Sequence, residues 1–403
     1  MIVIVAHGTK HIDWASFVAL SNTFSRAALI GLMTGTPEKE RKLRKSLTDL
    51  HFGEIARRLP EVDQFIKMPN LLRICRHRDV TEEVDKIYGL LGMLNPQIAS
   101  QIVVDYSTEA RRDWWQAYIQ YGKLQLKSEG MLTLLSMANS KHRPTKLPSW
   151  CPNFNSPPRD DFNFAGVIGY QAGFDSWEER IHSRVLSVPD SDNLKFFGFQ
   201  IDRVHTVVSS PEYCYDAEKW KGPGGTVDQL LQYEAKCLEL SQQTYDLHDE
   251  IPDAHWRTLV ADATLQAKTP LEPGVFKDYQ QLKEQWAWQS DTNHMDHVGT
   301  ATPSERQSVL SYYQSIETKK TRTFFSTDGR RVGLGPSDLR VGDVICVLYG
   351  GAPLFVLRFE DGEEAKGNGD VATLIGDVYV HGLMDLKTMP SDTRREDRYF
   401  LVR

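Results

Sequence analysis

The fold turns on Phe324-Phe325-Ser326-Thr327-Asp328-Gly329-Arg330-Arg331-Val332-Gly333-Leu334-Gly335-Pro336. From Thr323 the apolar period becomes two, and Asp328-Gly329 is a strong short-range hairpin signal joining 324–327 to 331–334. Further on, Gly342-Asp343 turns into a strand at 344–349, and Gly350-Gly351-Ala352-Pro353 leads to another at 354–359. An acidic, glycine-containing loop over 360–370 precedes strands at 372–381 and 398–402. Several short strands with regular turns predict a small antiparallel β-barrel or rolled sheet. Upstream, 194–201 reads as a strand that continues through 204–208 and joins that sheet. Gly222-Pro223-Gly224-Gly225 reads as a loop. A helix follows over 227–244, carrying Leu230, Leu231, Cys237 and Leu238. The remainder to about residue 320 reads as helical but irregular.

The N-terminal half has the longer period. Met1-Ile2-Val3-Ile4-Val5-Ala6 reads as a short interior strand, His7-Gly8-Thr9 as a turn, and Ile12, Phe17 and Leu20 as the start of a helix. Charged helices are expected over 38–59 and 68–76. Over 78–93, Val84, Ile87, Tyr88 and Leu91 fall at i, i+3, i+4 and i+7, which predicts one amphipathic helix. Thr81 caps it, Asp85 and Lys86 lie at the edge of its buried stripe, and Pro96 stops what precedes it. Residues 102–104 read as extended, and Ser107 caps the helix on which Trp114, Tyr118 and Tyr121 share a face, with Trp115 alongside. A short apolar helix is expected over 129–138, then an extended, proline-punctuated segment over 147–158.

With 403 residues, 40% hydrophobic and 25% charged, the chain has ordinary globular composition and room for two or three domains. A net charge of -7 argues against a nucleic-acid footprint. No run approaches bilayer length and no basic region leads into a long apolar core, so the chain reads as cytoplasmic. Five scattered cysteines without Cys-x-x-Cys spacing read as reduced, mostly buried thiols.

Four blocks carry a resemblance. They are Asp85-Lys86-Ile87-Tyr88-Gly89-Leu90-Leu91-Gly92, preceded by Arg78; Val104-Asp105-Tyr106-Ser107; Leu147-Pro148-Ser149-Trp150-Cys151-Pro152-Asn153-Phe154; and the block quoted first. In order and spacing they resemble the fungal heterokaryon-incompatibility (HET) proteins, which act in self/non-self recognition and cell death. The resemblance implies an N-terminal module similar to TIR domains, some of which cleave NAD with a catalytic glutamate. That module's closing block would lie ahead of Met1, so the chain is expected to be a C-terminal portion, and no residue here matches that glutamate. Cys151, Asn153 and Phe154 stand where the family commonly has Val, Asp and Trp.

Other chemistry is thin. His294-Met295-Asp296-His297, with Asp291 nearby, lacks the four-residue histidine spacing and the glutamate of a helical zinc pair, and reads as a solvated loop. His7 and His11 flank a turn without a placeable nucleophile or carboxylate and read as structural. There is no Gly-x-Ser-x-Gly elbow or Gly-x-x-x-x-Gly-Lys cradle. The Asp85, Lys86 and Tyr88 constellation, with Arg76 and Arg78 upstream, reads first as a docking pair for its helix and second as an interface with the N-terminal module. Trp150 reads as a packing anchor.

The expectation is therefore an α+β protein. A mainly helical region spans 1–155 with a short N-terminal strand, a variable mixed region 156–320, and a β-rich domain 321–403. The positions expected to matter, structurally, are Arg78, Asp85, Lys86, Tyr88, Gly89, Leu91, Gly92, Asp105, Tyr106, Ser107, Pro148, Trp150, Pro152, Asp328, Gly333, Gly335, Gly342, Asp343 and Gly382. No catalytic, cofactor-binding or metal residue is expected. The functional expectation is an interaction or regulatory scaffold whose partners are proteins, an incompatibility partner or the N-terminal module. The alternative is part of an NAD-cleaving enzyme completed elsewhere.

Overall fold

Alternating apolar residues from Thr323 onward form strands, as their period requires, and the strands close on themselves. The computed structural model describes residues 4–7, 10–13, 80–93, 96–128, 132–138, 143–155, 164, 167, 169–173, 185–188, 191–208, 222–264, 269–290, 303–319, 321–360, 371–390 and 396–403. They fall into two units, Met1–Trp114 and Trp115–Arg403.

In the first unit, β1 (Ile4–His7) and β2 (Lys10–Asp13) form an antiparallel hairpin. The helix expected to start at Ile12 is corrected there, since Ile12 and Asp13 pair with Val5 and Ile4. Farther on come α1 (Asp85–Tyr88), a 3-10 turn (Leu91–Met93), α2 (Pro96–Ala99) and α3 (Thr108–Arg112). The single amphipathic helix expected across 78–93 is thus cut to one α-turn followed by a 3-10 turn. Val84, which carries no side-chain cap bond, stands at its N-cap in place of Thr81. Gly89 and Gly92, poor helix formers, lie where the ladder breaks. The buried side is accordingly Val84, Ile87 and Leu90, an i+3 series suited to tight winding, while Tyr88 and Leu91 are half-buried.

The second unit opens with α4 (Trp115–Ser128) and a 3-10 helix (Leu132–Met137), the latter within the short apolar helix expected over 129–138. Strands β3 (Val185–Ser187) and β4 (Leu194–Val208) follow. Four helices come next: α5 (Gly222–Tyr245), α6 (Asp253–Leu259), α7 (Phe276–Ser290) and α8 (Pro303–Lys319). Gly222–Gly225, expected as a loop, is the first turn of α5, where Pro223 costs no hydrogen bond. The buried face of α5 runs through Leu230, Glu234, Cys237, Leu240 and Ser241, so Leu231 and Leu238 sit at its margin.

The remaining strands are β5 (Thr323–Thr327), β6 (Val332–Gly335), β7 (Val344–Leu348), β8 (Leu354–Phe359), β9 (Val371–Val380) and β10 (Arg398–Val402). Neighbours run β10-β4-β5-β6-β9-β8-β7, and β4 also pairs with β7, which closes the ring. The fifteen-residue β4 makes this possible. Its first part pairs with β3, β10 and β7 and its last part with β5, and irregularities between Gln200 and Asp202 and between Val204 and Thr206 flank the change. β5, β6 and β7 are buried along their whole lengths; α5 lies against β5 and α6 against β6. Trp256, Tyr279 and Tyr312 from the helices share one core with Phe324, Phe325, Val347 and Val356 of the barrel.

The hairpin loop has three residues, Asp328 to Arg330. The Arg330 N–H donates to Thr327 O at 3.0 Å and the Thr327 N–H to Arg331 O at 2.9 Å. The left-handed position is Arg330 (φ 57°), whose guanidinium reaches Thr244 O at 3.1 Å and the Asp246 carboxylate. Gly329 is needed for a different reason: its N–H donates to Asp202 Oδ1 at 3.1 Å, and a Cβ there would lie 2.6 Å from Asp202 Oδ2.

Candidate functional site

In the first unit the structure brings two sequence-distant blocks together. Tyr106 OH donates to Asp85 Oδ1 at 2.6 Å, and Tyr88 OH donates to Val103 O at 3.3 Å. The two rings meet edge to face, 5.5 Å between centroids. Asp105 Oδ1 accepts from the Ser107 N–H at 2.8 Å, and Ser107 Oγ accepts from Ala110 N–H at 3.2 Å, capping α3. The one helix expected to run from this cap through Trp114, Tyr118 and Tyr121 is broken, since α3 ends at Arg112 and α4 starts at Trp115. Arg111 lies over the Tyr106 ring at 5.9 Å and pairs with Glu82 at 3.4 Å. The hydrogen bond to Asp85, with burial and the negative charge, pushes the Tyr106 hydroxyl up to about 12. Lys86, expected at the edge of the stripe, is buried at 9% exposure. This arrangement holds a segment still; Val103, Val104 and Tyr106 remain exposed on it at 67%, 50% and 44%.

In the second unit the Pro148-Ser149-Trp150 block is a seat. Trp150 is fully buried and its Nε1–H donates to Asp192 O at 2.8 Å. Gly122 of α4 makes room for it: a Cβ there would stand 2.8 Å from Cζ3 of the indole. Ser149 donates N–H to Arg403 O at 2.7 Å while its Oγ accepts from Leu374 N–H at 2.9 Å, tying the block to β9 and to the end of β10. Phe154 meets Tyr118 and Tyr121 edge to face. At the other motif turn, Asp343 takes two hydrogen bonds from Arg358, at 2.7 and 2.8 Å, and a third from Arg340 N–H at 2.8 Å. Gly342 supplies the left-handed bend there (φ 89°), and Gly333 lets Phe325 and Tyr379 approach β6.

The most reactive-looking arrangement lies between α5, α6 and α7. Glu234 Oε1 is 3.0 Å from His255 Nε2, and Ser241 Oγ is 3.1 Å from His255 Nδ1. Tyr279 OH donates to Glu234 Oε1 at 2.5 Å and Lys283 Nζ lies 3.0 Å from Oε2. Burial raises the Glu234 carboxyl. The hydrogen bond and charge of His255, then Tyr279 and Lys283, outweigh it and bring the group to about 2. Burial lowers His255 despite its carboxylate partner. The order serine, histidine, carboxylate is that of a hydrolytic relay. Here, however, Ser241 and His255 are 0% exposed and Glu234 3%, and the serine hydroxyl also donates to Cys237 O at 2.8 Å. The arrangement acts as a cross-link of three helices.

Two further charges are buried. Arg322 NH2 lies 2.6 Å from Asp377 Oδ1, and Asp377 Oδ2 accepts from Phe164 N–H at 2.6 Å. Lys319, 4% exposed, donates to Ser315 O at 3.2 Å; burial, with Arg322 nearby, lowers its amine to about 7. Cys151, Cys237 and Cys346 are buried free thiols, pushed up by burial. Among the described residues no group of three or more His, Cys, Asp or Glu could hold a metal ion, and no helix is long and apolar enough to cross a membrane.

Residues 216–402 match the model of the Het-6 beta-barrel domain. Heterokaryon incompatibility protein 6, OR allele, of Neurospora crassa is 24% identical over 382 residues, covering 80% of this chain and 51% of that protein. The chain is thus similar to fungal HET-type proteins, most plainly over its β-rich end. The chain spans about half the length of the curated relative it matches. No solved structure matches it.

The HET-type blocks thus divide between the two units. Asp85, Tyr88, Asp105, Tyr106 and Ser107 meet in one cluster, with Lys86, Gly89, Leu91 and Gly92 in its supporting turns. Pro148, Trp150 and Pro152 form the seat, Asp328 and Gly342 sit in turns, Gly333 and Gly335 in β6, and Gly382 (φ 80°) in the turn after β9. Arg76, Arg78, Asp291, His294 and His297 lie outside the described residues, as do the helices expected over 38–59 and 68–76 and the loop over 361–370. His7 and His11 stand on the two strands of the hairpin. Sequence reasoning missed Glu234, Ser241, His255, Tyr279 and Lys283. The available signal was Glu234 and Ser241 seven residues apart on the apolar face of α5, a polar pair that burial obliges to find partners.

Proposed function

We propose that this chain is an interaction or regulatory scaffold in fungal self/non-self recognition, its partners being other proteins. The observation that carries the reading is the sealing of the serine, histidine and carboxylate relay found among the described residues. Glu234, His255 and Ser241 are 3% exposed or less, and each is committed to holding helices together. The HET-type blocks are spent in the same way, on turns, seats and clasps. The three-part organisation, with a helical region to about 155, a mixed region to about 320 and a β-rich end, belongs to the same reading.

The test is direct. Purified chain is incubated with NAD and the products are separated by chromatography; the scaffold reading expects no turnover above a heat-denatured control. Turnover that is lost in His255→Gln would sink it and favour an enzyme built on the buried relay. Turnover unaffected by that change would favour an NAD-cleaving site elsewhere in the chain.

A further inference from the structure

The Tyr106 cluster goes to some length to hold an exposed piece of chain straight. Residues 103–106 have neither turn nor bend. They are pinned at one end by Tyr88 OH on Val103 O and at the other by Tyr106 OH on Asp85, with the Ser107 cap beyond. Among the described residues the N–H groups of Val103, Val104, Asp105 and Tyr106 meet no acceptor, and the C=O groups of Val104, Asp105 and Tyr106 meet no donor. Three of the four side chains are large, apolar and exposed. A pinned, unpaired backbone carrying exposed valines has the features of a sheet edge, and its chemical complement is another extended backbone.

Charge decides whose backbone. Arg111 is engaged by Glu82 and Arg112 by Asp113, whereas Asp105 and Glu109 have no cation partner among the described residues. The Ser107 backbone N–H holds the Asp105 carboxyl below its ordinary range, so it is ionised at neutral pH. A second copy brought to 103–106 would gather these uncompensated carboxylates at one interface, in a chain of net charge -7, with no added cation to meet them. A strand with apolar residues at alternate positions and Lys or Arg between them meets both the valines and the carboxylates.

We propose that residues 103–106 are a docking edge for an extended, basic-apolar segment of a different protein, which adds to them as a β-strand. This deepens the scaffold reading by giving it a contact surface, and it rests on that reading only for the partner being a protein.

The test uses the full chain and a fluorescein-labelled peptide of alternating Lys and Val, followed by anisotropy. Val104→Pro removes one open N–H while fitting an extended backbone, and Val104→Thr keeps it. Saturable binding is expected to wild type and to Val104→Thr, with affinity lost by about tenfold or more in Val104→Pro, at an unchanged melting curve. An alternating Glu and Val peptide should bind wild type at least about tenfold more weakly. Absence of Lys–Val binding, or equal binding to the proline variant, overturns the edge. Dimerisation of the chain alone, seen by light scattering and abolished by Val104→Pro, overturns the assignment to a different protein. Any of these failures with NAD left intact sinks the edge and leaves the scaffold reading standing; NAD turnover sinks the scaffold reading alone.

Discussion

The Tyr106 cluster and the Trp150 seat are both assembled from blocks of the HET type, yet they bury opposite things. Around Trp150 the polar groups turn inward to serve the ring: Asp192 O takes its N–H, Ser149 ties its strand to β9, and Gly122 clears its space. Around Tyr106 the polar groups, Asp85 and Ser107, hold the backbone while the apolar side chains are left in water. The first arrangement gains hydrophobic free energy; the second forgoes it. Two blocks of one chain can therefore serve stability at one place and display at another, and burial tells the two apart.

The comparison breaks most sharply at Trp150. Trp150→Ala should cost about 3–5 kcal/mol, the scale for emptying an aromatic site in a packed core. Urea unfolding followed by circular dichroism measures it, and a cost near zero would remove the seat from the core. Glu234→Gln should cost about 2–3 kcal/mol, since it takes the charge from a carboxylate with three partners. With its folded value lowered to about 2, ionised Glu234 contributes stability above its ordinary value of 4.5, lost as pH falls from 4.5 toward 2. The variant should lack that share of the acid transition.

Lys319 sharpens the contrast from the other side, as a buried charge that costs stability. Its amine is lowered to about 7 from 10.5, so between those values the unfolded chain binds more protons and stability rises with pH. Lys319→Met should stabilise by about 1–3 kcal/mol at pH 7 and flatten the rise, read from melting temperatures at pH 7 and pH 9. The smallest effect belongs to the exposed cluster. Tyr106→Phe should cost about 0.5–1.5 kcal/mol, one hydrogen bond to a carboxylate at the surface. It should also delete one tyrosinate from the ultraviolet titration near pH 12. A cost as large as that of Trp150→Ala would mean that the cluster is core and not display.

Legibility followed the range of the interactions. The strand at 398–402 was readable to the residue, and β8, which follows Gly350 to Pro353, likewise, because short runs of apolar residues between polar or turn residues are a local signal. The Ser107 cap was readable for the same reason. The helix across 78–93 was misjudged, since its spacing suits an α-helix while Gly89 and Gly92 permit a tighter turn whose choice depends on what Val84, Ile87 and Leu90 pack against. The Glu234 relay showed only as the spacing of Glu234 and Ser241, and the Asp343–Arg358 clasp not at all, each joining residues fourteen or more positions apart.

From sequence alone came the class of the protein, the period of each half, the turns between the strands and the family blocks, all properties of neighbours along the chain. Which ends of β4 meet which strands, which carboxylates face which cations, and whether a valine lies inside or out were decided only when distant segments met, because burial and ion pairing are energies of surfaces brought together.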